Sequence, residues 1–166
     1  MAIAQSMLGE FDHEFAILRK TLERVPEHVP DFKPHEKSMS MARLAGHLAE
    51  LPAWLGMTVN TAELNFAGMD YTPFVMTTRA ALLSTFDANV GAARAALASA
   101  TDEQMMGPWT LRTGDVVHFT MPRVAVIRSM VFNHAIHHRA QLGVYLRMNN
   151  VPVPSTYGPS ADEGNM

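Results

Sequence analysis

The stretch PRVAVIRSMVFNHAIHHRAQLGVYLRMNN, residues 122–150, reads as one long helix. Pro122 suits a first helical turn, where no backbone N–H is needed, and Asn149-Asn150 followed by Pro152 ends the pattern. Residues four apart on an α-helix are offset by only about 40° around the axis. His134 and His138 therefore share a face, and that face also carries Ile127, Val131, Gln141 and Tyr145, which turns both imidazoles toward the protein interior. His137 is a rival partner for His134, because three-residue spacing also brings two side chains together. Spacing alone leaves the choice between His137 and His138 open.

Outward from this helix, three more helical stretches can be read. Ile3, Met7, Phe11, Phe15, Leu18 and Leu22 recur at helical spacing over residues 2–24, and Pro26 and Pro30 then frame a loop. Ser38 or Ser40 can cap a second helix running to about Asn60, with Leu44, His47, Leu51 and Trp54 on one face and Pro52 as an internal kink. Thr77 or Thr78 can cap an alanine-rich third helix to about Ala100. Residues Trp109 to Met121 favour extended structure around Thr113-Gly114-Asp115, which predicts a loop or small hairpin before the last helix. The tail, about 151–166, holds three prolines and two glycines and is expected to be irregular. The expectation is a single all-α domain over residues 1–166, a four-helix bundle with a possible small hairpin.

A chain of 166 residues can bury one proper core, and 48% hydrophobic against 17% charged residues is an ordinary globular balance. The formal net charge of −3 offers no broad cationic surface for a phosphate backbone, so no nucleic-acid partner is expected. The absence of cysteine excludes disulfides, zinc-thiolate sites and a cysteine nucleophile, so any thiol chemistry needs an external thiol. Glu10, Asp12 and Glu14 interrupt the opening residues where a signal peptide needs apolar continuity, and no apolar run approaches a membrane span. A cytoplasmic location without membrane contact is the expectation.

His47 lies on the apolar stripe of the second helix and can face the last helix across the core. Three buried imidazoles converging without a cation would be costly. Imidazole nitrogens suit divalent transition metals, zinc or nickel first among them, and three of them leave a coordination position for water or substrate. Such an ion lowers the pKa of bound water or stabilises an external thiolate. A helical His-x-x-x-His pair is also often nothing more than two satisfied polar residues, so the agreement with His47 is what raises the case.

Glu50, one turn beyond His47, is a candidate base or imidazole-orienting group, and Tyr145 can bring a hydroxyl to the same region. Each has a plainer alternative, a solvated carboxylate and a core tyrosine held by one hydrogen bond. Asn133 and Gln141 are candidate partners of the imidazoles. His13, His28, His35 and His118 read as surface or capping groups, and Arg139 and Arg147 as solvated or paired at an interface. The thirteen methionines read as flexible core filler.

The run NHAIHHRAQLGVYLRMNNVPVPSTYGPSADE, with SMSMARLAGHLAELPAW upstream and WTLRTGD and MPR between them, resembles the DinB/YfiT-like metalloenzyme family from about Lys37 onward. The resemblance implies metal ligands at His47, His134 and His138, which favours His138 over His137. It also implies an up-down-down-up bundle with a long crossover, often as a homodimer. One departure is Ala140, where many relatives have glycine.

Known relatives include transferases that use small thiols such as bacillithiol or mycothiol. The leading expectation is therefore a metal-dependent thiol transferase or hydrolase in which the three-histidine ion activates an external low-molecular-weight thiol or water. The alternative is a non-catalytic metal-binding stress-response module. A ligand-binding bundle without metal is a third possibility.

Overall fold

Pro52 divides what reads as one helix into two. In the computed structural model, which describes residues 2–164, α2 spans Met41–Glu50 and α3 spans Ala53–Asn60, with the turn at Leu51-Pro52 between them. The ring removes an N–H from the helical ladder and crowds the preceding turn, so the chain re-nucleates beyond it. Ser40 caps α2 by accepting from the Arg43 N–H at 3.3 Å. Ahead of this pair, α1 spans Ile3–Leu22; after it, α4 spans Arg79–Ser99, capped by Thr78 on the Ala81 N–H at 3.1 Å. Both caps are among the candidates read from the sequence.

The chain is nevertheless a mixed α and β structure, and the expected all-α four-helix bundle is corrected here. A three-stranded sheet in the order β1-β2-β3 combines β1 at Glu63–Asn65, β2 at Pro108–Thr113 and β3 at Val116–Pro122. The β2–β3 hairpin is antiparallel and turns at Gly114, whose φ of 57° lies in the left-handed region glycine tolerates. Strand β1 pairs in parallel with β2, Glu63 opposite Thr110 and Asn65 opposite Arg112. Arg112 forks onto the Glu63 carboxylate at 2.6 and 3.0 Å, and the Asn65 side chain accepts from the Gly114 N–H at 2.9 Å. Three residues are too few to show a two-residue period, and their partners lie 47 positions away. That is why no strand is read there from the sequence pattern.

A short α5, Asp102–Met106, opens on a Thr101–Gln104 capping box and leads into β2. Past β3 the chain enters the long final helix in three parts: α6 at Arg123–Ile127, a π-helical stretch at Arg128–Asn133, and α7 at His134–Met148. Arg123 bonds the carbonyls of Thr58, Thr61 and Pro108 at 2.9, 2.7 and 3.0 Å, tying the end of α3 to the sheet.

The main core gathers Phe11 and Phe15 of α1, Phe86 of α4 and Phe132, with Leu44 and Leu48 of α2 and Leu142 and Leu146 of α7. Phe132 meets both Phe11 and Phe15 edge-on, at 6.1 and 6.2 Å between centroids. A second, smaller core of Trp109, Leu111 and Val126 lies under the sheet, with Trp54 and Met130 packed against it. The sheet thus braces α3 and the start of the last helix, the two elements that flank the histidines.

Beyond α7 the tail is irregular, as expected, but it is firmly held. Asp162 takes a forked contact from Arg147, and Glu163 pairs with Arg24. Tyr157 reaches a buried ion pair in which the Arg139 guanidinium donates to the Glu14 carboxylate at 2.9 Å. Arg139 and Glu14 are 5% and 7% exposed, so Arg139 is neither solvated nor an interface residue, because Glu14 of α1 neutralises it inside the chain.

Candidate metal centre

His47 from α2 and His134 and His138 from α7 come together, each half-buried, with one ring nitrogen of each within 4.8 Å of the others. The Nε2 atoms of His47 and His134 are 3.2 Å apart, and those of His134 and His138 are 2.9 Å apart. His134 begins α7 directly after the π-helical stretch, and the four-residue spacing stacks His138 on it, as the sequence predicts. His137 is exposed and turns its Nε2 to the Gln141 side chain at 3.1 Å.

The hydrogen bonds on the opposite ring nitrogens decide what the Nε2 atoms of His134 and His138 offer. The Met130 carbonyl lies 3.3 Å from His134 Nδ1 and can only accept, so that nitrogen carries the proton. Gln141 places its Oε1 2.7 Å from His138 Nδ1 while its Nε2 faces His137, which puts a proton on His138 Nδ1 as well. Both Nε2 atoms then present lone pairs to each other at 2.9 Å, and neither has a proton to share with the other. A shared cation resolves that opposition. Metal-to-imidazole bonds of about 2.0–2.1 Å in tetrahedral array separate nitrogens by roughly 3.3 Å, within a few tenths of both distances.

Burial and mutual repulsion keep the imidazoles neutral. His47 is pushed down to about 4, first by burial, then by the neighbouring His138 and His134 and the Arg43 guanidinium. His134 and His138 are also lowered by burial, opposed by the Met130 carbonyl and by Gln141 respectively. Neutral imidazole is the form that binds metal.

Glu50, one turn beyond His47, bonds none of the three histidines. Its carboxylate accepts from the Phe74 N–H at 2.9 Å, the Tyr71 hydroxyl at 3.1 Å and Arg43 at 3.2 Å, fastening the segment after β1 over α2. Tyr145 is buried and donates its hydroxyl to the Met39 carbonyl at 3.0 Å. Gln141 is an imidazole partner as expected. Asn133 is exposed, as are His13, His28, His35 and His118.

Sequence reasoning missed the Met130 carbonyl, which has no side-chain signature, and the Phe66–Val75 segment. A signal for the second existed in Gly46, beside His47: a Cβ there would meet the Phe74 carbonyl oxygen at 2.2 Å. Two cavities flank the triad. One of about 270 Å³ opens on the His47 side, bounded by Trp54 and the Phe66–Tyr71 segment. The other, of about 490 Å³, opens on the His138 side and is lined by Lys37, Ser38, Gln141 and Tyr145.

The DinB family model matches residues 4–165. The chain belongs to the DinB family. A DinB-like protein from Bacillus cereus ATCC 10987 superposes with a TM-score of 0.71 at 22% identity, covering 94% of this chain and 98% of that one. A DinB-like protein from Bacillus subtilis superposes with a TM-score of 0.67 at 18% identity, covering 91% and 97%. At that identity the likeness is one of fold. A comparison with curated proteins gives no match. The three histidines fit a divalent metal in this DinB chain, and no helix among the described residues is long and apolar enough to cross a membrane.

Proposed function

We propose that this DinB protein is a metal-dependent transferase or hydrolase whose divalent ion, zinc or nickel, is held by His47, His134 and His138. The observation that carries the reading is the pair of Nε2 lone pairs facing each other at 2.9 Å, each fixed by a proton held on the far side of its ring. When bound, such an ion supplies Lewis acidity that favours the deprotonated form of water or of a small external thiol at neutral pH.

The chain's own residues do the rest. Met130 and Gln141 hold the Nδ1 protons and so aim the rings. Glu50 keeps Arg43 neutralised and the Phe66–Val75 segment seated; it is a positioning residue in this reading. Tyr145, through Met39, fixes the wall of the His138-side cavity. Cavities on both sides of the triad favour a reactive centre over a purely structural ion, which is usually sealed by a fourth protein ligand.

Elemental analysis of the purified protein, with turnover assays using several small thiols and electrophiles, tests the reading. About one equivalent of metal is expected, with both metal and activity lost in His138→Ala and metal retained in His137→Ala. A metal-free protein that gains none on incubation with zinc or nickel would overturn it.

A further inference from the structure

The two cavities beside the histidines differ in chemistry. The His138-side cavity carries Lys37, Ser38 and Gln141. On the His47 side, the charged groups Arg43 and Glu50 are half-buried and paired with each other at 3.2 Å, so their charges offset one another in the wall. The remaining walls are aromatic, aliphatic or thioether: Leu51, Trp54, Met57, Leu64, Phe66 and Met69. Trp54 and Phe66 stand with ring centroids 6.4 Å apart.

A second observation comes from the surface. Phe66, Met69 and Tyr71, 39%, 44% and 53% exposed, are large apolar residues gathered at the mouth of this same cavity. Exposed apolar side chains clustered around an opening mark a place where an apolar molecule is received. Two methionines in the wall allow it to adapt to the guest. At about 270 Å³ the cavity lies just below the small end of ligand pockets, roughly 300–1,000 Å³, which suits a one- or two-ring molecule.

We propose that the His47-side cavity is the binding site for a neutral, flat aromatic substrate, seated against Trp54 and presented to the histidine centre. The substrate assignment rests on the reading of that centre as metal-bearing, whereas occupancy of the cavity does not. A charged group is disfavoured because it would be desolvated against mostly apolar walls whose one ion pair is already internally offset.

The chain has two tryptophans, so a proton–nitrogen correlation spectrum shows two indole signals, assignable with Trp54→Phe. Trp54 lines the cavity, whereas Trp109 is fully buried and donates its indole N–H to Thr61 at 3.1 Å. Titration of the full chain with 1-naphthol, metal-free and zinc-loaded, is expected to shift the Trp54 signal saturably and several-fold more than that of Trp109. In the metal-free protein, where no cation is present to ligate a carboxylate, the charged 1-naphthoate should bind at least ten-fold more weakly. Met69→Glu, an exposed change at the mouth, should weaken 1-naphthol by a similar factor without altering zinc content. No saturable Trp54 shift, or equal binding of naphthol and naphthoate by the metal-free protein, would overturn the proposal. Naphthol binding by a protein that takes up no zinc would instead defeat only the metal reading, and zinc uptake without naphthol binding only this one.

Discussion

At the scale of single residues, the three imidazoles make stability a function of pH. His47 in the folded, metal-free chain titrates at about 4, below its ordinary 6.5, so the unfolded chain binds the proton first as pH falls. Stability is therefore full above about pH 7 and is lost progressively from about 6.5 down to 4, with His134 and His138, lowered in the same direction, contributing to the same loss. Urea denaturation of metal-free protein at successive pH values should show that slope, reduced in His47→Gln; an unchanged slope would count against a buried neutral imidazole. The Glu14–Arg139–Tyr157 group gives a second expectation. Tyr157→Phe removes a hydroxyl that donates to Glu14 and accepts from Arg139, and should cost about 1–3 kcal/mol in the same measurement. Glu14→Gln strands a buried guanidinium and should cost more, about 3–5 kcal/mol.

At the scale of elements, the seat of the Phe66–Val75 segment depends on a missing side chain. Gly46 lets the Phe74 carbonyl approach α2, while Glu50 and Arg43 bond the same residue from the next turns. Gly46→Ala should unseat the segment at a cost of about 1–3 kcal/mol and speed proteolysis within it, despite the better helix propensity of alanine. The helices were legible in the sequence because long amphipathic patterns announce themselves, and so were the Ser40 and Thr78 caps and the break at Pro52. The hairpin was legible from Thr113-Gly114-Asp115. Strand β1 was not, since Glu63–Asn65 becomes a strand only by pairing with distant β2.

For the whole molecule, the centre joins α2 to α7, so occupation of the site should be felt as global stability. Zinc added at about a thousand times its dissociation constant should stabilise folding by roughly 4 kcal/mol, and a chelator should reverse it. Melting curves with and without metal check this, and His134→Ala should abolish the difference. His134 and His138 were readable as a pair from their spacing, but the choice against His137 needed either family resemblance or three dimensions, where His137 faces solvent. The direction of each ring was beyond the sequence, because it is set by a main-chain carbonyl and by the orientation of a glutamine amide. The π-helical stretch Arg128–Asn133 has a bearing on how such a protein tolerates change in length. One surplus residue is stored there, between Val126 under the sheet and His134 at the centre, and each residue of helix turns the chain by about 100°. Deleting exposed Ser129 would let the helix heal into an unbroken one whose two halves keep nearly their present phase, because the wider π-helical turn has already absorbed the extra residue. Both halves would keep their partners. Gene variants that shorten this stretch by a codon should therefore be far better tolerated than one-codon deletions within α7, where no surplus is stored and everything beyond the deletion is turned by about 100°.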